Sequence, residues 1–131
     1  MNDDSPNKPE GQLAIRVIAM PADTNPTGDI FGGWLMSQVD LAAGVVAAQR
    51  ARGRAVTVAV NSFEFKQPVY VGDLVTFYGQ VTRVGNTSLT IKVEAYAQRS
   101  TTPDEGVRVT KAELTFVAVD ERGRPRQVPQ E

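Results

Sequence analysis

Apolar and polar positions divide the chain into a few long runs, separated by clusters of Pro, Gly, Asn and Asp. Leu13 to Met20 (LAIRVIAM) is a short apolar run with β-branched residues and predicts a first strand. Pro21 to Asp29 crowds together prolines, Asn, Asp and Gly, and predicts a structured loop. From Gly32 to Ala48 the chain is apolar nearly all round, which marks a helix buried on most faces. Asp29, just ahead, is placed to cap its N-terminus. Gln49-Arg50-Ala51-Arg52-Gly53-Arg54 closes the helix with positive charge and a glycine, as the helix dipole favours.

Beyond Gly53 the period turns to that of strands. Ala55 to Lys66 is rich in β-branched and aromatic residues and stops before Pro68. Val71-Gly72-Asp73 predicts a turn, Leu74 to Val84 a long strand, and Gly85-Asn86 a tight hairpin turn. Thr87 to Gln98 alternates cleanly, with Leu89, Ile91, Val93, Ala95 and Ala97 on one face. A polar loop at 99–106 precedes a last strand, Val107 to Val119. The expected order is a strand, a long buried helix, then four strands in antiparallel succession. A curved antiparallel sheet wrapped around a long central α-helix, an α+β fold, covers the helix and uses the apolar face of each strand. Such a sheet leaves an unpaired edge, which pairing with a second copy would cover. The expected organisation is one folded domain over 13–120, a polar disordered arm at 1–12 and a polar tail at 121–131.

Composition narrows the chemistry. A chain of 131 residues suits one domain. The 14 basic and 15 acidic residues leave a net charge of -1, without the basic excess of a general nucleic-acid binder. No run of about 18 apolar residues predicts a membrane span, and the polar first residues lack the apolar stretch of a secretory signal. Cysteine is absent, so no disulfide is expected and a reducing cytoplasm is the natural setting. Histidine is absent too. That removes Ser-His-Asp and Cys-His triads and the usual zinc ligands, so no metal site is expected. Acid–base chemistry must come from Asp, Glu, Lys or Tyr.

Four features carry candidate chemistry. Asp40 falls mid-helix among Met36, Val39, Leu41, Ala43 and Gly44. A carboxylate in that setting is costly unless it is paired or put to use. Gly32-Gly33 at the helix start would expose backbone N–H groups able to receive an anion or a polarised carbonyl; the alternative is close packing against the sheet. Gly33 and Asp40 are seven residues apart and share one helix face. A site using both is formed on one chain or across a two-fold axis. Asn25 either donates its side-chain amide to the same carbonyl or makes an ordinary Asx turn before Pro26. The hairpin Arg83-Val84-Gly85-Asn86-Thr87-Ser88 offers a cation, N–H groups and hydroxyls suited to phosphates, or is simply a solvated turn.

From Ala19-Met20-Pro21 through Asp40 the chain stops being generic and resembles a known family. MPADTNPTGDIFGGWLMSQVDLAAG, VTVAVNSFEFKQPVYVGD and KAELTFVAVDERGRPR are similar to segments of the YciA-type acyl-CoA thioesterases of the hotdog superfamily. The likeness runs from about Leu13 to Asp120. Its most specific part is the Asn–x–x–Gly–x–x–Phe–Gly–Gly block with an acid fifteen residues after the Asn. The resemblance implies that Asn25 and the Gly32 N–H, with Gly33 beside it, hold the thioester carbonyl. It implies that Asp40 serves as general base or nucleophile, contributed by the partner subunit. Some relatives carry a hydroxyl one helical turn after the acid, where this chain has Gly44; Thr57 or Ser62 on the neighbouring strand is the candidate replacement. The implied ligand is acyl-CoA, with coenzyme A as part of the substrate and no separate cofactor. Its groove lies at the interface of a dimer that assembles further, as a trimer of dimers. A sister dehydratase or hydratase would need the histidine this chain lacks. A non-catalytic acyl-CoA-binding module remains the alternative of a different class.

Overall fold

A computed structural model describes residues 10–101 and 106–130. Most of the arm expected at 1–12, and the middle of the loop at 99–106, lie outside the described residues. The elements are β1 (Gln12–Ile18), α1 (Gly32–Ala51), β2 (Ala55–Phe65), β3 (Leu74–Val84), β4 (Ser88–Gln98) and β5 (Gly106–Ala118). The sheet is antiparallel throughout, as expected, but the strands do not follow one another in space. The order is β1-β3-β4-β5-β2, so β2 crosses the sheet to pair with β5 while β1 takes the place beside β3. Periodicity specifies which residues are strands and which face is apolar; it does not specify the neighbour.

One face of the sheet packs on α1. Val75 and Phe77 of β3, Leu89, Ile91, Val93, Ala95 and Ala97 of β4, and Ala112, Leu114 and Phe116 of β5 are buried with Leu35, Val39, Ala43 and Val46 of the helix. Burying a side chain the size of Phe77 contributes about 1.5–3 kcal/mol. Gly79 lets β3 approach closely, for a Cβ there would stand 2.7 Å from Val46 Cγ2.

The sheet covers only one side of α1. The helix is apolar nearly all round, yet Met36, Leu41 and Val45 are exposed, Leu41 by 58%. The expectation of burial on most faces is therefore half met within one chain. Next to this stripe runs β2, whose residues 57–62 are all exposed, Val58 by 56% and Val60 by 48%. The edge of β2 that faces away from β5 has no strand partner among the described residues. Register shifts at Thr57/Ala59 and Val60/Ser62 bend this edge.

After β5 the chain folds back over the end of α1. Val128 is buried in the core, its N–H donates to Asn86 O (2.8 Å), and Arg126 donates to Val119 O and Ala51 O. The one apolar side chain in this polar stretch thus anchors it.

Candidate active site

The loop leading into α1 is built around Asn25. Its N–H donates to Asp29 O (2.7 Å), while Thr24 bridges to Ile30 and Phe31 N–H donates to Asp23 O, so the loop doubles back beside the helix start. Asn25 Oδ1 accepts three hydrogen bonds, from Thr27 N–H (3.0 Å), Thr27 Oγ1 (2.8 Å) and Asp29 N–H (3.0 Å). The Asx turn is real, and it consumes the oxygen alone. The Nδ2 group donates to nothing among the described residues and is held in one orientation, ready for an external acceptor.

Asp29 does not cap the helix. Its N–H is spent on Asn25 and its carboxylate accepts from Thr27 Oγ1 (3.3 Å), so the cap position falls to Phe31, which makes no side-chain cap. No acidic residue occupies the first turn. The N–H groups of Gly32 and Gly33 therefore find no acceptor among the described residues, at the positive end of a 20-residue helix. Beside them opens a cleft of about 330 Å³ between the helix start and the β2–β3 connection. Ile30, Phe31, Leu35, Phe65, Pro68 and Val69 give it an apolar lining, and Gly32 forms part of its wall. A Cβ on Gly32 would press on the Phe65 ring at 3.3 Å.

Asp40 is exposed in the isolated chain, contrary to the expectation of burial, because it lies on the side of α1 that the sheet leaves open. It has a partner: Thr57 Oγ1 donates to Asp40 Oδ1 at 2.5 Å. Thr57 reaches it because it stands opposite Phe116, and side chains opposite one another share a sheet face. Phe116 is buried against α1, where a Cβ on Gly44 would meet its ring at 3.8 Å. A strand hydroxyl, that of Thr57, thus stands beside the carboxylate. Ser62 lies five residues further along β2, and no hydrogen bond joins it to Asp40.

Two groups are not brought together within one chain. Gly32 and Asp40 are eight residues apart on one helix, about 12 Å along its axis, too far for a single carbonyl to touch both. The hairpin Arg83–Ser88 lies far from the Gly32 cleft. Gly85 N–H donates to Ser88 O, and the Asn86 and Thr87 carbonyls accept from Val128 and Ala118. Arg83 is exposed. Leu89, at the hairpin's base, stands opposite Phe116, itself opposite Thr57. The hairpin therefore sits about 10 Å from Thr57, two strand spacings away, on the Asp40 side.

One structural feature beside the cleft gave no signal in the sequence. The β2–β3 connection is clamped by Arg99, which pairs with the buried Asp73 carboxylate and donates to Pro68 O (3.1 Å). Asp73 Oδ2 also accepts Tyr70 N–H (2.8 Å), and the Arg99 guanidinium lies 4.7 Å over the Tyr70 ring. The partners are 26 residues apart, beyond the reach of any local pattern.

With a five-stranded antiparallel sheet on one long helix, an open helix start and a strand-held carboxylate, the chain has the architecture of a hotdog-fold thioesterase. The thioesterase superfamily profile matches residues 27–103. The acyl-CoA thioester hydrolase YciA of Escherichia coli is 46% identical over 127 residues, 95% of this chain and 96% of that protein. An acyl-CoA thioester hydrolase of Haemophilus influenzae is 50% identical over 124 residues, covering 93% and 80%. The crystal structure of a hexameric thioesterase from Yersinia pestis superposes with a TM-score of 0.89 at 46% identity, covering 94% of this chain and 99% of that one. The chain belongs to the thioesterase superfamily, and within it to the YciA-type acyl-CoA thioester hydrolases. More distant is the acyl-CoA hydrolase of Staphylococcus aureus, solved in complex with butyryl coenzyme A, coenzyme A and coenzyme A disulfide (30% identity, TM-score 0.81, covering 88% and 70%). It has also been solved with an Asn, an Asp and a Thr each replaced by Ala, the Asp fifteen residues after the Asn and the Thr seventeen after the Asp. Asn25, Asp40 and Thr57 have the same two spacings.

Proposed function

We propose that this protein hydrolyses acyl-CoA thioesters at a site shared between two copies of the chain, with Asn25 and Gly32 from one and Asp40 from the other. The observation that carries the reading is a mismatch within the single chain. The open N–H of Gly32 at the helix start stands about 12 Å along the axis from the carboxylate it would have to work with. A two-fold axis that pairs the free β2 edges would run the two helices antiparallel and lay each exposed Met36–Leu41–Val45 stripe against the other. The same operation carries Asp40 of one copy toward the Asn25–Gly32 pair of its mate. The hexameric state of the Yersinia relative supports assembly of such dimers into a trimer of dimers.

The chemistry follows from the groups present. The thioester carbonyl oxygen accepts from Asn25 Nδ2 and the Gly32 N–H, and these donors strengthen as charge builds on that oxygen. Asp40, oriented by Thr57, takes a proton from water as it adds to the carbonyl carbon, or attacks that carbon itself to form an acyl anhydride on Asp40, which water cleaves to the free acid after CoA has left. The C–S bond then breaks and CoA leaves as a thiolate, a good leaving group that needs little help. No histidine is required. Arg83 and the hairpin's Gly85, Asn86, Thr87 and Ser88, on the Asp40 side, are assigned to the CoA phosphates. The absence of cysteine fits work in a reducing cytoplasm.

The test is thiol release from a panel of acyl-CoA esters, followed with a thiol reagent, for the native chain and for Asp40→Asn. The native protein should release thiol, and the folded, assembled variant should lose at least about a hundredfold in kcat. Tight binding of acyl-CoA without release would overturn the enzyme reading in favour of a binding module.

A further inference from the structure

We propose that the tail segment at 126–129 positions the β3–β4 hairpin to meet the CoA phosphates, with Val128 as its anchor. The proposal rests on the assignment of that hairpin to CoA. Gly85 and Asn86 stand exposed at the hairpin's tip, where a turn is ordinarily mobile. Two carbonyls of this tip are nevertheless held from one side. Thr87 O accepts from Ala118 N–H (2.9 Å), and Asn86 O accepts from Val128 N–H (2.8 Å). The Asn86–Thr87 peptide is trans, and the C=O and N–H of a planar trans peptide point in opposite directions. Fixing Asn86 O on the tail therefore aims the Thr87 N–H, which belongs to the same peptide unit, away from the tail. That N–H donates to nothing among the described residues. It is a backbone donor of fixed direction, of the kind that receives a phosphate oxygen.

The tail can serve because it is tied to the ends of α1 and β5. Arg126 N–H donates to Ala118 O (2.9 Å), and the Arg126 guanidinium donates to Val119 O (3.0 Å) and Ala51 O (2.9 Å). Ala51 O is among the carbonyls that a helix C-terminus leaves without an intrahelical partner, where a cation is favoured. Arg50 Nη1 donates to Pro129 O (2.7 Å). Between these two arginine contacts Val128 is 1% exposed and belongs to the same core as Leu89 and Phe116. Gln127 and Gln130, on either side of this stretch, are exposed. Val128 thus fixes the depth of the tail, and the depth of the tail fixes the Asn86–Thr87 peptide. Val128 acts through the hairpin, as a positioning residue.

The experiment compares kcat and KM for one acyl-CoA ester and for the same acyl ester of pantetheine, which has the reacting thioester but no phosphate. The native enzyme should show the lower KM with acyl-CoA. Val128→Asn buries an amide without a partner and should lift the tail from the core, without adding a charge that would itself repel phosphate. KM for acyl-CoA should then rise about tenfold, the low end for losing a hydrogen bond to a charged group, because Ala118 still holds Thr87 O. Its kcat, and both constants for the pantetheine ester, should stay native, the signature of lost binding that ground and transition states share. Should Val128→Asn fail to fold, Val128→Ala takes its place and must raise KM with the same split. Native constants in a folded variant, or a loss shared equally by the two esters, overturns the proposal and leaves the tail as a cover for the end of α1. A native enzyme with equal KM for the two esters overturns the hairpin assignment, and this inference with it, while leaving the thioesterase reading intact. A native protein that releases thiol from neither ester overturns that reading as well.

Discussion

Asn25 allows its structural and chemical roles to be separated by substitution. Its Oδ1 accepts from Thr27 N–H, Thr27 Oγ1 and Asp29 N–H, while Nδ2 is free to donate outward. Asn25→Asp keeps the oxygen that organises the loop and replaces the outward donor with a second acceptor bearing charge. The loop should survive, and the melting temperature should stay near that of the native protein. Turnover should not survive: losing one oxyanion donor costs about 2.7–4 kcal/mol of transition-state stabilisation, a fall of roughly 10²–10³ in kcat. Asn25→Ala removes both functions. Three lost acceptor bonds in a solvent-reached loop, largely replaced by water, should cost about 1 kcal/mol, or about 4 °C in Tm for a chain of this size, on top of a similar fall in kcat. Thiol release measured against substrate concentration separates kcat from KM, and thermal melts supply the stability arm. An Asn25→Asp enzyme with native kcat would refute the reasoning, and a defect confined to KM would reduce Asn25 to positioning substrate.

Other consequences follow from the same geometry. Thr57→Val keeps the strand shape and deletes the hydroxyl that donates to Asp40; a bond to a charged group is worth about 1.5–3 kcal/mol, so kcat should drop about ten- to a hundredfold and recover in Thr57→Ser. Val60→Lys places a charge on the free β2 edge, and size-exclusion chromatography should show smaller species whose activity falls in step with assembly; full assembly would contradict the proposed interface. Burial first, and then the charge of Glu94, raise the Tyr96 phenol above its ordinary value near 10. A raised folded-state pKa means stability that is intact below the unfolded phenol's pKa and lost as pH rises through that of Tyr96. Melts between pH 8 and 11 should therefore show the native protein losing stability faster than Tyr96→Phe, and parallel curves would contradict this.

What the sequence reveals is uneven, for physical reasons. The helix and strands are legible because a buried face imposes a period: the Leu89–Ala97 alternation that predicts β4 is the alternation that packs on α1. Strand order is not, because β2 pairs with β5 rather than with its sequence neighbour β3, and no local pattern encodes a crossover. Asn25, Gly32 and Asp40 stand out through residue type and spacing. Which face of α1 the sheet leaves open does not, so Asp40 looks buried in sequence and is exposed in the single chain. Asp29 reads as a helix cap until the loop is seen to spend it on Asn25 and Thr27. The Asp73–Arg99 clamp depends on contacts between distant segments and leaves no trace in sequence.

The shared site is tested most directly by subunit exchange. Asn25→Ala and Asp40→Ala chains, each nearly inactive alone, are mixed in equal amounts after reversible dissociation. If Asn25 and Asp40 act from different chains, every mixed dimer holds one site lacking both groups and one site with both. Random pairing makes about half the dimers mixed, so about a quarter of all sites should regain full chemistry. Damage that is additive within one chain cannot produce such recovery. Recovery of about a quarter of native activity is the result expected. No recovery, with exchange verified by differently tagged chains, would place the whole site within one chain and contradict the account.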